Sequence, residues 1–415
     1  MSLVTQWFPP EPVQQPEWLA DALGEQGWDV TVLTGIPNYP DGEVQDGFRA
    51  WEFRRETLNG RRVRRTPLYP SHDGSAAGRV FNYLSWAVTA SVGGLGDLRR
   101  SDVALVYSSP ATAALPAMAA RALARRPFVL MIQDLWPDSI FASGFMTGGF
   151  TGRIAKTGLG GFSQLAYRMA SSIAVISPGM RDLLIERGVS PEKVHLVYNW
   201  VDESLFHPAE RDPQLRSSLG IASDDFVLMY AGNHGAAQDL ANVVQAIGLV
   251  TSERKIHLIL VGDGVEKATL QELAHHVAPR RIHFLDPRPP SAMAPVMDAA
   301  DFQLVSLRDD PLFHITMPSK VQAILASGQP ILVSAPGDAA RVAVNSGAGL
   351  AVAPGDPQAL AEAIQDAALL GPDELNQLGS KASHYYHEHM AERIGVAQLS
   401  ALLLDAATSG KRDRQ

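Results

Sequence analysis

Short apolar runs alternate along the chain with longer segments in which apolar residues recur every three or four positions. A short run bounded by polar or glycine residues predicts a buried strand, and the longer pattern predicts an amphipathic helix. Strands that alternate with helices are typical of a parallel sheet covered on both faces. In the first half the predicted strands are Ser2–Trp7, Asp29–Thr34, Arg62–Arg65, Val103–Tyr107, Phe128–Ile132, Ser172–Ile176 and Val194–Val197. The predicted helices of that half are Glu17–Gln26, Arg79–Val92, Ala111–Ala124, Thr151–Met169 and Gly179–Arg187.

This alternation stops in residues 198–213, a polar stretch with two prolines, and restarts at Phe226. The interruption predicts an α/β protein of two doubly wound domains that face a cleft. A last helical pattern follows them, and we expect it to pack back on the first domain. The predicted parts are a first domain at 1–200, a linker at 201–213, a second domain at 214–385, a C-terminal helix at 386–408 and a disordered tail at 409–415.

Residues 318–338 carry the most specific local pattern. Ser319 is predicted as the N-cap of a helix that continues with Lys320 and stops at Gly328, before a buried strand at Pro330–Ser334. A helix N-terminus presents unpaired N–H groups and a partial positive charge, which suit a phosphate, and a lysine there adds a full charge. The same residues also fit an ordinary helix start with a solvated lysine.

Glycine-rich or polar segments follow three other predicted strands, Phe226–Tyr230, His257–Val261 and Asp301–Leu307. In open parallel sheets the ligand lies outside the carboxyl ends of the strands, and glycine lets a backbone approach a phosphate closely. Any one of these segments alone is typical of a tight turn. Together they give the candidate binding residues Gly232, Asn233, His234, Gly235, Gln238, Gly262, Asp263, Gly264, Arg308, Asp309, Pro318 and Ser319.

Two carboxylates, Asp134 and Asp138, follow the predicted strand Phe128–Ile132 and are candidate catalytic residues together with Lys320. Helix capping and turn formation explain the two aspartates equally well. Asn38 and Tyr39 are candidates for lining an acceptor cleft. The histidine- and tyrosine-rich cluster at 384–389 fits a packing helix better than a metal site.

Composition limits the class of protein. The chain has 415 residues, 46% hydrophobic and 19% charged, and a net charge of −9, which argues against a nucleic-acid binder. It contains no cysteine, which excludes disulfides, thiol catalysis and cysteine-ligated metals. The N-terminus lacks a basic region before its first apolar run, and no long apolar run follows elsewhere, so we expect neither a signal peptide nor a transmembrane span.

Charge is unevenly distributed over the first half. Residues 48–65 carry seven arginines against two glutamates, and residues 74–96 and 139–181 contain no acid. Aromatic residues interleaved with basic ones are typical of a surface that contacts anionic lipid. The alternative is that the aromatic residues belong to the core and the arginines form a solvated face. The aromatic and large apolar residues concerned are Phe81, Tyr83, Leu84, Trp86, Phe141, Phe145, Met146, Phe150, Phe162 and Tyr167.

The chain resembles the family 4 retaining glycosyltransferases of GT-B fold, in the branch that builds bacterial exopolysaccharide and O-antigen. The resemblance covers nearly the whole chain, and the order and spacing of its motifs are specific. The motifs are Phe8-Pro-Pro-Glu-Pro12, Val30–Pro40, Gln133–Ser139, Val175–Gly179, Asn199–Asp202, Tyr230–Asn233, Val261–Gly264, Pro318–Lys320 and Gly347–Asp356.

The resemblance implies a nucleotide-diphosphate sugar donor on the second domain and an acceptor, often polyprenyl-linked, on the first. It implies transfer without cofactor or obligatory metal, on the cytoplasmic side, with a peripheral place at the inner face of the membrane as the further expectation. Same-face attack would retain the anomeric configuration, with the departing phosphate taking the proton. Lys320, Ser319 and the Gly232–Gly235 turn would stabilise the departing diphosphate, and Asp134 would orient sugar or acceptor, because Gln133 replaces the histidine of many relatives.

The chain departs from the family pattern at several positions. Ile315 and Ala323 stand where most relatives carry two glutamates that contact the donor sugar and the ribose, which leaves Arg308 and Asp309 as candidates for those contacts. Asn233 and Gln238 stand near the positions of the usual arginine and lysine, and Val13-Gln-Gln-Pro16 replaces the usual glycine pair. Two other functions stay open: a nucleotide-sugar epimerase of similar fold, and a binding-only relative without catalysis.

Overall fold

The computed structural model describes residues 1–71, 76–138, 150–209 and 213–412, and the chain forms two compact units. The first comprises Met1–Val197 and Gly395–Gln415, and the second comprises Tyr198–Ile394. The residues predicted as a linker therefore belong to the second unit. The C-terminal helix belongs to the first unit from Gly395 onward, as expected for a helix that packs back.

The first unit is built on an eight-stranded sheet. Its strands are β1 (Ser2–Val4), β2 (Thr31–Gly35), β3 (Arg54–Leu58), β4 (Arg61–Thr66), β5 (Ala104–Ser108), β6 (Phe128–Ile132), β7 (Ser172–Val175) and β8 (Val194–Leu196). They lie in the order β3-β4-β2-β1-β5-β6-β7-β8. In the centre Leu3 pairs with Val32 on one side and Leu105 on the other, and all three are fully buried.

Helices cover this sheet, as the alternating pattern predicts. They are α1 (Gln15–Glu25), α2 (Ala76–Gly93), α3 (Leu95–Arg100), α4 (Ala114–Ala124), α5 (Phe150–Met169) and α6 (Pro178–Glu186). Within the ranges that the structure describes, no helix of either unit is both long enough and apolar enough to cross a bilayer.

The edge strand β3 departs from the predicted all-parallel sheet, because it pairs antiparallel with β4. Asn59 and Gly60 connect the two strands, both with positive φ, at 49° and 79°. An Asn-Gly pair with this backbone is the usual two-residue turn of a β-hairpin. The charged sequence of β3 lacks the apolar run that predicts a strand. A half-exposed edge strand can do without such a run, because it buries little apolar surface.

The second unit is built on a six-stranded parallel sheet in the order β11-β10-β9-β12-β13-β14. The strands are β9 (Phe226–Ala231), β10 (Ile256–Val261), β11 (Ile282–Leu285), β12 (Phe302–Ser306), β13 (Ile331–Ser334) and β14 (Gly349–Val352). The helices of this unit are α7 (Pro213–Ser218), α8 (Leu240–Leu249), α9 (Lys267–Val277), α10 (Met293–Asp298), α11 (Ser319–Ala326), α12 (Gly337–Asn345), α13 (Pro357–Leu369) and α14 (Pro372–His389). The last helix, α15 (Glu392–Arg412), belongs to the first unit from Gly395 onward.

Both faces of this sheet are buried. Phe226 and Leu228 of β9 pack into one core cluster, while the alternate residues Val227 and Met229 pack into another. Because successive side chains of a strand point to opposite faces, a strand buried on both faces is a continuous apolar run. This is why the sequence predicts β9 and its neighbours well.

The C-terminal helical pattern divides into two helices at Met390. The second helix continues to Arg412, four residues into the segment predicted as a disordered tail, and the rest of that segment lies outside the described residues. In the 384–389 cluster, Tyr386 is fully buried and its hydroxyl accepts a hydrogen bond from the Val201 N–H at 3.3 Å. Among the described residues no group of three or more His, Asp or Glu side chains is arranged to hold a metal.

A buried ion pair fixes α7 to the amino-terminal edge of this sheet. The Arg216 guanidinium lies 2.7 Å from the Asp301 carboxylate, and the two side chains are 6% and 3% exposed. Arg216 also donates to the carbonyl of Ala299, and Asp301 accepts from the Val227 N–H. The pair therefore joins the starts of β9 and β12, the two strands that lead to the candidate site.

Replacing Arg216 with alanine should destabilise the second unit by about 3–5 kcal/mol, because Asp301 is left as an uncompensated buried charge. Chemical denaturation followed by circular dichroism measures the change, with the exposed Arg288→Ala as the matched control. Equal midpoints for both variants would contradict this role for the pair.

Candidate active site

The candidate site lies where the sheet of the second unit changes direction. From β9 the chain builds outward through β10 and β11, then returns to the other side of β9 to form β12. The loops that leave β9 and β12 therefore diverge, and ligands of open α/β sheets bind in such a crevice. Gly232 follows β9 here, and Lys320 stands in the first turn of α11, after β12.

Lys320 is held against an aromatic ring. Its Nζ lies 3.7 Å from the centroid of the Tyr230 ring and donates a hydrogen bond to the Tyr230 hydroxyl. Burial lowers the pKa of Lys320 to about 7. Among the described residues no carboxylate pairs with this ammonium group, so an anion that binds beside it would supply its missing charge partner.

Gly232 makes room for the lysine. Its φ is +143°, and a Cβ on this residue would lie 2.6 Å from Cε and 2.8 Å from Nζ of Lys320. A side chain would therefore displace the ammonium from the Tyr230 ring. The glycine here gives room to a side chain of the protein itself, and a close approach of the backbone to a phosphate stays a prediction.

The glycines after β10 serve a contact between two loops. A Cβ on Gly262 would lie 2.0 Å from the Gly232 carbonyl oxygen, and one on Gly264 would lie 2.4 Å from the His234 carbonyl oxygen. Both glycines have φ above +140°. The loop after β10 thus packs directly beneath the loop after β9, and this packing explains the glycines without a ligand.

The same packing corrects the predicted role of the Gly232–Gly235 turn. The Gly232 N–H donates to the Val261 carbonyl at 2.8 Å, and the His234 N–H donates to the Asp263 carbonyl at 2.8 Å. The Gly235 N–H donates to the Gln238 amide oxygen at 3.2 Å. These three donors are engaged within the protein, so they cannot stabilise a departing diphosphate as the sequence predicts.

His234 is a buried packing residue. Its side chain is fully buried, and its ring lies 6.1 Å from the Tyr230 ring and 6.3 Å from the Phe284 ring, measured between centroids. Burial lowers the pKa of His234, and the nearby cations Lys267 and Lys320 lower it further. The imidazole is therefore neutral at pH 7 and contributes no charge to an anion site.

Helix α11 begins one residue earlier than predicted. Pro318 occupies the N-cap position with an extended backbone, and Ser319 is the first helical residue, without a capping hydrogen bond. The Val321 N–H donates to the Pro318 carbonyl at 3.0 Å. In a helix the N–H groups of the first residues have no intrahelical acceptor, which leaves those of Ser319 and Lys320 beside the lysine side chain.

Polar residues after β9 and β12 form the rim of this corner. The exposed Asn233 amide donates to Gln238 at 3.3 Å, and the Arg308 N–H donates to the Ala237 carbonyl at 3.0 Å. Asp309 lies 2.9 Å from the His314 ring through one carboxylate oxygen, and its side chain is 71% exposed. The Arg308 guanidinium lies 3.4 Å from the Asp310 carboxylate, and the Arg308 side chain is 47% exposed.

Of the candidates in the first unit, Asp134 is exposed, whereas Asp138 and Asn38 make contacts within the protein. Asp134 follows β6, is exposed, and accepts a hydrogen bond from the Ser109 hydroxyl at 3.0 Å. Asp138 forms an ion pair with Arg187 at 2.7 Å, and its catalytic role stays a prediction. Asn38 is buried and its amide is bonded to Ile36 and Asn82, so it does not line a cleft.

Tyr39 is partly exposed, and its place at an acceptor cleft stays a prediction. Sequence reasoning missed Glu11, the residue that holds it. Glu11 is buried, and its carboxylate accepts hydrogen bonds from the backbone N–H groups of Phe8, Asn38 and Tyr39 at 2.9–3.1 Å. Burial raises the pKa of Glu11 to about 7, while the N–H groups and Arg65 oppose that shift. A carboxylate between two prolines directly after a strand was the available signal.

The surface predicted for lipid contact is partly core. Trp86 is fully buried, and so is Arg65, which pairs with Glu56 at 2.6 Å. Tyr167 is also buried, whereas Phe81 is 64% exposed. Phe141, Phe145 and Met146 lie outside the described residues, and the Phe150 side chain is not described either.

Comparisons with known proteins agree with this fold. Residues 12–200 match the family described as Glycosyl transferase 4-like domain, and residues 225–368 match Glycosyl transferases group 1. The chain is 30% identical over 322 residues to the putative colanic acid biosynthesis glycosyl transferase WcaI of Escherichia coli, covering 77% of each protein. It is 25% identical over 315 residues to the probable glycosyltransferase WbjE of Pseudomonas aeruginosa, covering 75% of this chain and 77% of that protein.

Solved structures share the fold across almost the whole chain. The Anabaena protein Alr3699/HepE in complex with UDP superposes with a TM-score of 0.66 at 16% identity, covering 97% of this chain and 99% of that one. WaaG, a glycosyltransferase involved in lipopolysaccharide biosynthesis, superposes with a TM-score of 0.63 at 14% identity, covering 97% and 98%. From its family matches and its similarity to WcaI, the chain belongs to the family 4 glycosyltransferases of GT-B fold.

Proposed function

We propose that this glycosyltransferase uses a nucleotide-diphosphate sugar as donor and binds the donor diphosphate at Lys320. The observation that carries the proposal is the position of this ammonium group at the turning point of the sheet. It is desolvated, held on the Tyr230 ring and without a carboxylate partner among the described residues. A buried charge without a partner is costly, and a bound diphosphate would remove that cost.

The same arrangement suits the departure of the diphosphate. Negative charge grows on the leaving phosphates when the glycosidic bond breaks, and a cation already in place stabilises it without rearrangement. We assign this stabilisation to Lys320 and to the N–H groups of the first turn of α11, and no longer to the glycine turn. The resemblance implies retention by same-face attack, and the proposal adopts it without a metal ion.

Arg308 is our candidate for a second donor contact, because its guanidinium is exposed on the rim of the same corner. Ile315 and Ala323 supply no carboxylate to the sugar or the ribose. That substitution also favours the second candidate function, a protein that binds the nucleotide sugar without transferring it. Transfer of labelled sugar to an acceptor, measured beside nucleotide binding, separates the two.

We further propose that the first unit contacts an anionic membrane, which would suit a lipid-linked acceptor. The outer face of α2 exposes four apolar side chains at helical spacing, Phe81, Leu84, Val88 and Val92. This helix carries no acidic residue. Beyond its C-terminal end the exposed Phe53 ring continues the apolar surface, where it packs against Gly93.

Basic residues adjoin this apolar face. The Arg64 guanidinium lies 5.8 Å from the centroid of the Phe53 ring. Arg64 also lines a surface groove together with Arg55, Arg62 and Arg100, and these four arginines outnumber the two acids of the groove, Glu56 and Asp97. Apolar residues that enter the interface beside arginines that reach anionic headgroups are typical of peripheral attachment, so we expect a cytoplasmic protein attached to the inner face of the membrane.

Replacing Lys320 with alanine should weaken nucleotide-diphosphate binding about tenfold to a hundredfold, because one charge-assisted contact is lost. Isothermal titration with the best ligand from a panel of UDP, GDP, dTDP, CDP and ADP measures the change. Lys381→Ala, an exposed lysine of the same unit, is the control. An unchanged dissociation constant for Lys320→Ala would refute the proposed phosphate site.

Donor affinity should fall as the pH rises through about 7, because Lys320 binds the diphosphate only when protonated and its pKa is lowered to about 7. A nucleotide sugar is the suitable ligand, since its diphosphate does not titrate in this range. Lys320→Arg should flatten the profile, because arginine stays charged. A wild-type affinity that stays constant up to about pH 9 would contradict the lowered pKa.

The double substitution Phe81→Glu with Val88→Glu should abolish flotation with vesicles that contain phosphatidylglycerol, because two charges enter the apolar face of α2. Leu404→Glu, at an exposed leucine of the first unit that lies outside α2, should float with the vesicles like the wild type. Failure of the wild type to bind these vesicles, or equal binding by all variants, would rule out this surface.

A further inference from the structure

Four aromatic side chains meet at the carboxyl edge of the first unit's sheet. Trp7 follows β1, Tyr39 follows β2, Trp136 follows β6, and Tyr83 lies on α2. The ring centroids are 5.2 Å apart for Trp7 and Tyr39, 6.2 Å for Trp7 and Tyr83, and 5.8 Å for Tyr83 and Trp136. These four residues, here named the aromatic platform, form one continuous chain of rings.

The platform lies at the second turning point of the fold. In the order β2-β1-β5-β6 the chain passes outward from β1 to β2 and later returns to the other side of β1 as β5. The loops after these strands diverge there, which is where open α/β sheets bind ligands. Trp7, Tyr39 and Tyr83 remain partly exposed, so the rings do not form a closed core.

An open carboxylate borders the rings. Asp134 precedes Trp136 by two residues, is exposed, and is fixed by the Ser109 hydroxyl at 3.0 Å. Burial raises the pKa of the Tyr83 hydroxyl, Arg79 opposes that shift, and Tyr39 and Asp134 add to it, so these polar groups lie near one another. The surface therefore combines apolar ring faces with a hydrogen-bond acceptor at their border.

Buried polar residues hold the platform in shape. The Glu11 carboxylate accepts hydrogen bonds from the N–H groups of Phe8 and Tyr39. Phe8 directly follows Trp7, and Tyr39 is itself a platform residue. Asn82 accepts a hydrogen bond from Gln6 at 2.5 Å and donates to Asn38 at 2.9 Å. The loops after β1 and β2 are thus tied to each other and to the helix that carries Tyr83.

We propose that the aromatic platform binds a pyranose ring of the acceptor, with Asp134 accepting a hydrogen bond from one of its hydroxyl groups. One face of a pyranose presents C–H groups that pack on aromatic rings, and its edge presents hydroxyls that need polar partners. The inference rests on the proposed function and deepens it, because it assigns the acceptor to the sugars.

Other acceptor chemistries fit the platform less well. A phosphate group would face the Asp134 carboxylate, and like charges at close range repel. A polyprenyl chain would cover that carboxylate without satisfying it, which costs free energy. A sugar satisfies both the rings and the carboxylate, and in a lipid-linked acceptor the lipid would lie outside the platform.

Saturation-transfer NMR with methyl glycosides of glucose, galactose and fucose tests the inference on the full chain. The wild type should bind at least one of them, and Trp7→Leu and Tyr83→Leu should each weaken that affinity about tenfold or more. Asp134→Asn should weaken it while leaving the melting temperature unchanged, which a purely structural role would not predict. Trp28→Leu, at a partly buried tryptophan on the opposite edge of the same sheet, is the matched control.

The inference is overturned if no methyl glycoside binds, if the platform variants bind like the control, or if geranyl phosphate binds at the platform in place of the sugars. Nucleotide-diphosphate binding by the same variants is measured separately and should match the wild type. A wild type that binds no nucleotide diphosphate would refute the proposed donor site. A wild type that binds nucleotide but no methyl glycoside would refute the platform alone.

Discussion

The site of the second unit depends on the contact between the Lys320 ammonium and the Tyr230 ring. This contact exists only because Gly232 lacks a side chain, and Gly232 is placed by the packing of its loop on Gly262. The glycines that the sequence pattern assigns to ligand binding thus act indirectly, by positioning Lys320. They let a desolvated lysine reach the carboxyl end of β9, and the lysine supplies the charge.

The two units use the same topology for different chemistry. In each sheet the loops diverge where the strand order reverses. In the second unit that point holds Lys320, a cation with no carboxylate partner in the part of the chain that the structure describes, which suits a diphosphate. In the first unit it holds aromatic rings and the Asp134 carboxylate, which suit a neutral polyhydroxylated ring. Each half of a transfer reaction would therefore have a site of matching chemistry.

The sequence predicts the strands best where both faces are buried. The strand Phe128–Ile132 has the predicted bounds, because its run of apolar residues ends sharply at polar ones. The edge strand Arg54–Leu58 was missed, although the Asn59-Gly60 turn that follows it was a usable signal. Individual site residues were harder, since Asp138 owes its pairing to Arg187, which lies far away in the chain.

The N–H groups of the glycine turn were equally unpredictable, because their acceptors belong to a neighbouring loop whose position depends on the tertiary fold.

The most direct test of the central claim is the pKa of Lys320, measured by NMR on lysine labelled at the ε-carbon, with Lys320→Arg to assign the signal. The account predicts a value near 7 in the free protein and a clear rise when a nucleotide diphosphate binds. An ordinary lysine pKa in the free protein, or one that nucleotide leaves unchanged, would contradict it.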